Sequence, residues 1–306
     1  MNLFILGNGF DRAHDLPTSY MDFRDYLKNE DRSYLTSLEA PYDCVPESNS
    51  DLVQKHLWRE FENNLSEINE AEIVDGAVSM DMGLESGDIG IEDTLNLYWE
   101  EQYGYIQQLN DFIKSWAEQI DINVPKKTCK IKRNSDDLFI SFNYTLLLER
   151  AYKIDNSQIL HIHGSVNKND LPPVIGHGDS KKIQEAKEQA RKAEDKFGEK
   201  ESSIYNALIN YYERTKKDVP HYLLVNSYFF KMLKPIDQVF VVGHSFGNVD
   251  LPYFKKVSDS IQENAIWNIY YYDKNEEEAF IDKITSIGVK SGQVRMMPTT
   301  DFFNRA

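Results

Sequence analysis

Short apolar runs recur along the chain and predict buried β-strands. The first, NLFIL at residues 2–6, ends abruptly at Gly7. A run that is apolar at every position, rather than at alternate positions, is typical of a parallel sheet with both faces covered. Such runs predict seven strands, at residues 2–6, 137–143, 158–163, 173–176, 238–243, 266–272 and 293–297.

Between these runs, apolar residues recur at helical spacing. Ser19 is a candidate N-cap for a first helix, YMDFRDYLKN, and Asp22 follows it at the spacing of a capping box. Two longer blocks, at about residues 31–135 and 181–235, are interpreted as helical insertions.

The first block is uneven. Helical spacing is strongest at residues 51–68 and 95–120, whereas the acidic, glycine-dotted segment at 72–93 predicts a loop. The second block opens with KKIQEAKEQARKAEDKFGEKE, a mixed-charge run that predicts a solvent-facing helix.

The alternation of strands and helices predicts the fold class. We expect an α/β protein with a doubly wound, mostly parallel, Rossmann-like sheet. Residues 1–30, 136–180 and 236–306 would form the core, and the two helical blocks would be insertions in it.

Charge and composition narrow the class of partner. The 306 residues include 50 acidic and 34 basic ones, a formal net charge of −16, and form no basic stripe, so we expect no nucleic-acid partner. No apolar stretch is long enough to span a membrane, and the first residues lack a signal-peptide pattern. Cys44 and Cys129 lie far apart, which suggests a reducing compartment. We therefore expect a cytoplasmic protein with no membrane partner.

Candidate chemistry is concentrated in four loops that follow predicted strands. Ligands of parallel α/β sheets bind at the carboxyl ends of the strands, which lie at one edge. The loops are at residues 7–11 (GNGFD), 143–145 (NYT), 163–165 (HGS) and 243–250 (GHSFGNVD). Their coincidence, rather than any single loop, predicts a site.

The first two loops each allow a functional and a structural interpretation. Gly7 and Gly9 would let backbone N–H groups approach a phosphate, and the following helix N-terminus favours an anion. Arg12 stands where the dinucleotide fingerprint has a third glycine, so a tight turn is the alternative. Asn143 is either a ligand-facing residue or a turn residue.

The two histidines of HIH are two positions apart on a predicted strand and would share a face. They are a candidate metal pair, or His163 faces a ligand while His161 packs, or both are buried without chemistry. A metal needs a third ligand, and His177 and Asp179 have no diagnostic spacing. We therefore expect no metal.

The late loop contains G-x-S-x-G, the pattern of a hydrolase nucleophile elbow, with Ser245 at its centre. In α/β-hydrolases the catalytic acid and histidine follow the serine, but no histidine follows Ser245 in this chain. Only an unusual triad order would make Ser245 a nucleophile. The alternative is a Gly-x-Ser turn whose N–H groups and hydroxyl bind a phosphate or a ribose.

Four blocks carry a family resemblance. The opening LFILGNGFDRAHDLPTSYMDF, FNYT at 142–145, HIHGS at 161–165 and VVGHSFGNVD at 241–250 resemble the AbiH family, which is linked to bacterial abortive infection against phage. The same blocks are similar, more distantly, to sirtuin-like domains. That second resemblance implies an NAD ligand, but the four-cysteine zinc module of protein deacetylases is missing, which argues against deacetylation.

The sirtuin-like resemblance also implies residue roles. Asn143 would sit by the nicotinamide ribose and His163 would be the catalytic base. The resemblance also implies cofactor contacts for Gly7, Asn8, Gly9, Phe10, Asp11, Gly243 and Ser245. Their loop neighbours Gly164, Ser165, His244 and Asp250 are further candidates for cofactor binding. Asp11 and Asp250 are candidates for binding ribose hydroxyls, with helix capping as the alternative.

Together, these expectations predict a phage-defence protein that acts on a nucleotide. The predicted reaction is hydrolysis of NAD to nicotinamide and ADP-ribose. A nucleotide-binding sensor or regulatory module without catalysis is the alternative, and a serine hydrolase using Ser245 is a third hypothesis. The sequence leaves open the choice of NAD, NADP or another nucleotide, the oligomeric state and any phage trigger.

Overall fold

The computed structural model describes residues 1–42, 51, 55, 57–79, 104–133, 135–196 and 198–303. Cys44, residues 80–93 of the predicted loop and residues 95–103 of a predicted helix lie outside the described residues.

A single six-stranded sheet forms the centre of the fold, and every neighbouring pair of strands is parallel. Its strands are β1 (Asn2–Leu6), β2 (Leu138–Ser141), β3 (Ile159–His161), β4 (Gln238–Val242), β5 (Ile266–Tyr271) and β6 (Val294–Pro298). Their order across the sheet is β3-β2-β1-β4-β5-β6. This is the strand order of a doubly wound nucleotide-binding fold, and it confirms the predicted fold class.

An aromatic ladder fixes the register at the middle of the sheet. Phe4 of β1 is in register with Phe139 of β2 and with Phe240 of β4. The three rings stack, with centroids 5.2 Å and 5.0 Å from that of Phe4. Shifting either neighbour by one residue would turn its aromatic ring to the opposite face, so the ladder allows one register.

Both faces of the sheet are covered, which explains why the strands are apolar throughout. Leu3 and Ile5 of β1 belong to one hydrophobic core, whereas Phe4 and Leu6 belong to another. Alternate residues of a strand point to opposite faces. The two cores therefore lie on opposite sides of the sheet, as a doubly wound fold requires.

Helices account for most of the chain between the strands. The α-helices are α1 (Asn8–Arg12), α2 (Tyr20–Glu30), α3 (Arg32–Glu39), α4 (Phe61–Asn64), α5 (Glu70–Ser79), α6 (Ile106–Gln119), α7 (Lys181–Glu194), α8 (Glu199–Thr215), α9 (Val219–Val225), α10 (Ser227–Met232), α11 (Leu251–Ser260), α12 (Glu277–Ser286) and α13 (Thr299–Phe303). A π-helix covers Leu148–Tyr152. Short 3-10 helices cover Ala40–Tyr42, Trp58–Glu60, Asn156–Gln158, Lys274–Glu276 and Ser291–Gln293. No helix in the described parts of the chain is long and apolar enough to cross a membrane.

The chain divides into two compact units. The first contains the whole sheet and consists of residues 1–19, 113–174 and 218–306. The second is helical and consists of residues 20–112 and 175–217. Helix α2, which we assigned to the core, thus lies in the helical unit.

The helical unit has a buried ion pair at its centre. Arg24 donates to Glu39 from Nε at 2.6 Å and from a terminal nitrogen at 3.3 Å, and Trp58 Nε1 donates to the same carboxylate at 2.7 Å. Glu39 is fully buried. Three hydrogen bonds from Arg24 and Trp58 offset the desolvation of this carboxylate.

The predicted strand at residues 173–176 is wrong. Pro172 and Pro173 have no backbone N–H and cannot donate to a ladder. The first free N–H, that of Val174, donates instead to the carbonyl of His163 at 3.0 Å. His177, just beyond, forms an isolated parallel bridge with Lys216.

One expectation for the first helical block also needs correction. Residues 72–79, predicted as loop, belong to helix α5, whose isoleucine and alanine at positions 73 and 77 are buried on one face. In the segment at 51–68, the described residues Asp51 and Lys55, the 3-10 helix Trp58–Glu60 and helix α4 are all helical, and residues 52–54 and 56 lie outside the described residues.

Candidate functional site

The strand order places two of the four loops side by side. Chain connectivity reverses between β1 and β4, which are neighbours in the sheet. At such a switch point the loops leaving the two strands border a crevice, the usual place for a ligand. The loops at residues 7–11 and 243–250 are the two that meet there.

Glycines allow these two loops to pack backbone against backbone. A Cβ atom on Gly7 would lie 2.5 Å from the carbonyl oxygen of Gly243, and one on Gly9 would lie 2.7 Å from the Cα of Gly243. Gly243 itself has a φ of +68°. No other residue fits at these positions without moving the loops.

The first loop uses its own N–H groups within the protein. Gly7 N donates to Val242, Gly9 N to Gly243 and Phe10 N to Gly7, at 3.0, 2.9 and 2.9 Å. These three N–H groups are thus used within the protein, as they are in a tight turn. Asn8 is exposed and accepts a hydrogen bond from Thr18, while Phe10 packs in the core.

A network around Asp11 joins the first loop to the second. Asn143 Nδ2 donates to Asp11 Oδ1 at 2.6 Å and to the carbonyl oxygen of Gly7 at 3.1 Å. The Thr145 hydroxyl donates to the other oxygen of Asp11. Asp11 therefore binds side chains and caps no helix.

Burial dominates the electrostatics of Asp11. The side chain is 1% exposed, and desolvation raises its pKa to about 6, although the hydrogen bonds from Thr145 and Asn143 oppose the rise. A carboxyl group with a pKa near 6 changes charge close to physiological pH.

The network continues through His161. Its Nδ1 lies 3.0 Å from the Asn143 carbonyl oxygen, and its Nε2 lies 2.9 Å from Glu149 Oε1. Burial lowers the pKa of His161, but the hydrogen bond and charge of Glu149 outweigh burial and raise the pKa above its ordinary value. A protonated His161 donates from both nitrogens, which fixes the backbone of Asn143.

A second cluster is built around Asp250. His163 Nε2 lies 3.2 Å from Asp250 Oδ1, and His244 Nε2 lies 3.3 Å from Asp250 Oδ2. All three side chains are buried. Asp250 precedes helix α11 but forms no capping hydrogen bond. One carboxylate thus faces two imidazoles.

A hydrogen bond from the backbone of Phe246 fixes the tautomer of a neutral His244. The backbone N–H of Phe246 donates to His244 Nδ1 at 2.9 Å, so this nitrogen is an acceptor. The ring proton of a neutral His244 is then on Nε2, the nitrogen that faces Asp250.

Aromatic rings surround the two histidines of this cluster. The Phe142 ring lies edge-on to His163 and to His244, with centroid distances of 5.1 and 4.3 Å. Tyr253 contacts His163 at 5.5 Å. An apolar surround lowers the local dielectric and strengthens the attraction between Asp250 and an imidazolium.

His161 and His163 have different partners. Strand β3 ends at His161, and the chain turns before His163, so the two-residue alternation that would put them on one face stops there. The expected shared face is therefore wrong. Within the described residues, no group of three or more His, Cys, Asp and Glu side chains could hold a metal ion.

The other two residues of the third loop, Gly164 and Ser165, stabilise the conformation of that loop. Gly164 has a φ of +77°, and a Cβ there would lie 2.2 Å from the carbonyl oxygen of Pro172. Ser165 donates its hydroxyl to Asp170 and its N–H to Leu171. These two candidates shape the loop that presents His163.

Ser245 lacks the surroundings of a nucleophile. Its side chain is exposed, and in the described part of the chain its hydroxyl has no hydrogen-bond partner. The adjacent His244 directs its nitrogens to Phe246 and Asp250. The geometry therefore favours a turn over a nucleophile elbow.

The chain was compared with known protein families and with curated proteins. A family model described as "Bacteriophage abortive infection AbiH" matches residues 3–271. The chain belongs to the AbiH family. No curated protein matches it.

Membership of the AbiH family assigns the chain to bacteriophage abortive infection. The matched segment includes all four loops and both clusters, so the site described above lies within the AbiH region. The family name itself specifies no ligand.

Sequence reasoning gave no role to Thr145 within the candidate loop 143–145, and it missed Glu149. Thr145 closes the NYT motif, and Glu149 lies in the π-helix Leu148–Tyr152. π-Helical turns are often found at functional sites, but their sequences have no distinctive pattern. The one available signal was the presence of polar residues directly after a strand.

Proposed function

We propose that the protein acts in phage defence by binding NAD at the switch point and hydrolysing its nicotinamide–ribose bond. NAD and water give nicotinamide, ADP-ribose and a proton. The observation that carries the proposal is the contact between Nε2 of buried His163 and Oδ1 of buried Asp250, in loops that follow strands at the carboxyl edge of a doubly wound parallel sheet.

The reaction places modest demands on the protein. Nicotinamide leaves as a neutral molecule from a cationic ring and needs no proton. The sugar passes through an oxocarbenium-like transition state, as in other glycoside cleavages. The protein must position the bond and remove a proton from the attacking oxygen.

His163 is suited to accept that proton. Imidazole titrates near neutral pH and is the commonest general base in enzymes. Asp250 lies 3.2 Å from Nε2 and would stabilise the imidazolium that forms. Asp250 is held in turn by His244, whose tautomer directs a proton to it.

Asn143 would orient the attacking group. Its Nδ2 is occupied by Asp11 and Gly7, which leaves the carboxamide oxygen as an acceptor. An acceptor held at the carboxyl end of β2 suits a water molecule or a ribose hydroxyl.

The late loop is better suited than the first to bind phosphates. In the first loop the N–H groups of Gly7, Gly9 and Phe10 are occupied. In the late loop, within the described chain, the N–H groups of Ser245 and Gly247 have no protein acceptor. Free backbone N–H groups bind anions. We therefore assign the phosphate contacts to residues 243–250.

Turnover by three variants tests the proposal. The full chain is incubated with NAD, NADP and a panel of other nucleotides, and nicotinamide release is followed by mass spectrometry. Removal of a general base lowers turnover by roughly 10²–10⁴-fold, which we expect for His163→Ala. Loss of one hydrogen bond by Ser245→Ala should weaken binding by about 2- to 100-fold. Asn143→Ala should lower turnover more than Ser245→Ala does.

His221→Ala is the matched control, because His221 is exposed on helix α9. Thermal melting of each variant checks that it is folded. A dead Ser245→Ala beside an active His163→Ala would reverse the assignment in favour of a serine hydrolase. Thermal stabilisation of the wild type by a nucleotide without nicotinamide release would point to a sensor that lacks catalysis.

A further inference from the structure

The two ends of the Asn143 carboxamide have different surroundings. Both N–H bonds of its Nδ2 are used, one toward Asp11 and one toward the carbonyl of Gly7. Among the described residues, no donor lies within hydrogen-bond reach of its Oδ1. Within the protein, the Asn143 carboxamide is therefore held only by the hydrogen bonds that its Nδ2 donates.

The reverse orientation of this amide is unfavourable. Rotating it by half a turn would place its oxygen against the Asp11 carboxylate and the Gly7 carbonyl, which are both acceptors. Acceptors that face one another repel, and two buried N–H donors would lose their partners. The anionic form of Asp11 makes the preference stronger.

Thr145 completes the arrangement. Its hydroxyl donates to Oδ2 of Asp11, so the carboxylate cannot rotate away from Asn143. Asp11 and Thr145 are buried, and both oxygens of Asp11 are occupied by protein donors. Because Asp11 is only 1% exposed and each of its oxygens already accepts from a protein donor, its carboxylate is directed at the protein rather than at a ligand.

We infer that Asp11 and Thr145 are positioning residues, which hold the Asn143 carboxamide with its oxygen toward the reacting ribose. This inference rests on the proposed function and specifies how Asn143 is prepared for it. Asp11 acts through Asn143, and the acceptor that meets the ribose hydroxyl or the attacking water belongs to Asn143.

Asp11→Asn and Asp11→Leu separate positioning from other roles. An asparagine at position 11 accepts from Asn143 with its oxygen and donates to Thr145 with its nitrogen, so it keeps both contacts. A leucine of similar size keeps neither. We expect Asp11→Leu to lower kcat by about 10- to 100-fold with little change in KM, which is the loss of one hydrogen bond to a charged group.

Conservative variants should rescue that loss. Asp11→Asn should recover at least tenfold of the kcat lost in Asp11→Leu. Thr145→Val should lower kcat by roughly 2- to 10-fold, the loss of one ordinary hydrogen bond, and Thr145→Ser should restore it. Asp259→Leu on the exposed face of helix α11 is the matched control. A fall of Asp11→Asn to the level of Asp11→Leu would show that the charge of Asp11 is what matters and would overturn the inference.

A spectroscopic measurement tests positioning without any substrate. The side-chain NH₂ signals of Asn143 are assigned by their loss in Asn143→Ala. Hydrogen exchange at these protons should be slow in the wild type and in Asp11→Asn, and faster in Asp11→Leu. The signals should shift with pH as Asp11 titrates, and this step should be missing in Asp11→Asn. His161 and Glu149 are the other titratable groups near Asp11, and any pH-dependent shift that they cause is expected in both the wild type and Asp11→Asn.

The turnover assay and the NMR measurement of the Asn143 side chain can contradict the proposed function and this inference independently. A wild type that releases no nicotinamide from any dinucleotide removes the proposed function, and the NH₂ signals then decide the inference alone. Identical exchange and pH response of Asn143 in the wild type and Asp11→Leu would overturn the inference even if NAD is hydrolysed.

Discussion

At the scale of single residues, the site contains a carboxyl group that its surroundings make costly to ionise. Burial raises the pKa of Asp11 to about 6, against an ordinary value of 3.8. The folded chain therefore binds this proton more tightly than the unfolded chain does. Stability contributed by the neutral carboxyl is present below about pH 4 and is lost as pH rises to about 6.

Asp11→Asn should therefore stabilise the protein at neutral pH. The pKa difference corresponds to about 3 kcal/mol of folding free energy at pH 7.5, and none below pH 4, where both side chains are neutral. Denaturant unfolding of the two proteins at pH 7.5 and pH 4 measures it. Equal unfolding free energies at pH 7.5 would mean that the ionised form of Asp11 is not destabilising.

The candidate residues were partly predictable, for a physical reason. His163 and Asp250 both follow strands, and strand ends of a parallel sheet share an edge, so the pattern implied that they could meet, as they do. The pairing of His161 with Glu149 depends on the π-helical turn, which the sequence does not reveal.

At the scale of elements, the two glycine loops at the switch point are joined by close packing. The pattern G-x-G is the same whether the backbone approaches a phosphate or another backbone, and only the structure separates these cases. In this chain the atoms that approach Gly7 and Gly9 belong to Gly243 and His244.

Gly9→Ala should consequently destabilise the fold itself. Its Cβ would lie 2.7 Å from the Cα of Gly243, and overpacking of this kind costs about 1–3 kcal/mol or more. The melting temperature should fall by several degrees, with or without a nucleotide. Gly292→Ala is the control, since a Cβ at Gly292 meets nothing within 4 Å. If Gly9→Ala keeps the wild-type melting temperature but no longer binds the nucleotide, the first loop would instead be interpreted as a phosphate-binding loop.

The central strands were predictable because burial on both faces makes their sequences mostly apolar, whereas β6 was predictable from its short run of valine and methionines although none of its residues is fully buried. The error at residues 173–176 has a simple origin. A short apolar run was given more weight than the two prolines before Val174, although proline removes the donors that a ladder needs. Helix α5 was missed because Asp75 and Gly76 have low helix propensity, and burial of one face overcomes this.

At the scale of the whole molecule, charge limits the partners. The formal net charge of −16 opposes the approach of a polyanion, whereas a dinucleotide carries only two phosphates and can be bound by a few N–H groups. The acidic balance therefore fits a nucleotide better than a nucleic acid.

We expect no sub-micromolar binding to DNA or RNA at physiological salt. Fluorescence anisotropy with single-stranded DNA, duplex DNA and RNA of about 30 nucleotides, at about 50 and 150 mM salt, measures this. Tight binding at the higher salt concentration would reveal a basic surface that the composition conceals.

The position of β1 in the sheet has a consequence for how the protein is made. This strand lies between β2 and β4, and Asn2 pairs with Gln238. Such distant contacts must overcome a large loop-closure entropy and form late in folding. During translation, β4 and the loop after it must be synthesised and leave the ribosome before Asp250 can contact His163. A nascent chain truncated before β4 would then lack both the central pairing of β1 with β4 and the contact between His163 and Asp250.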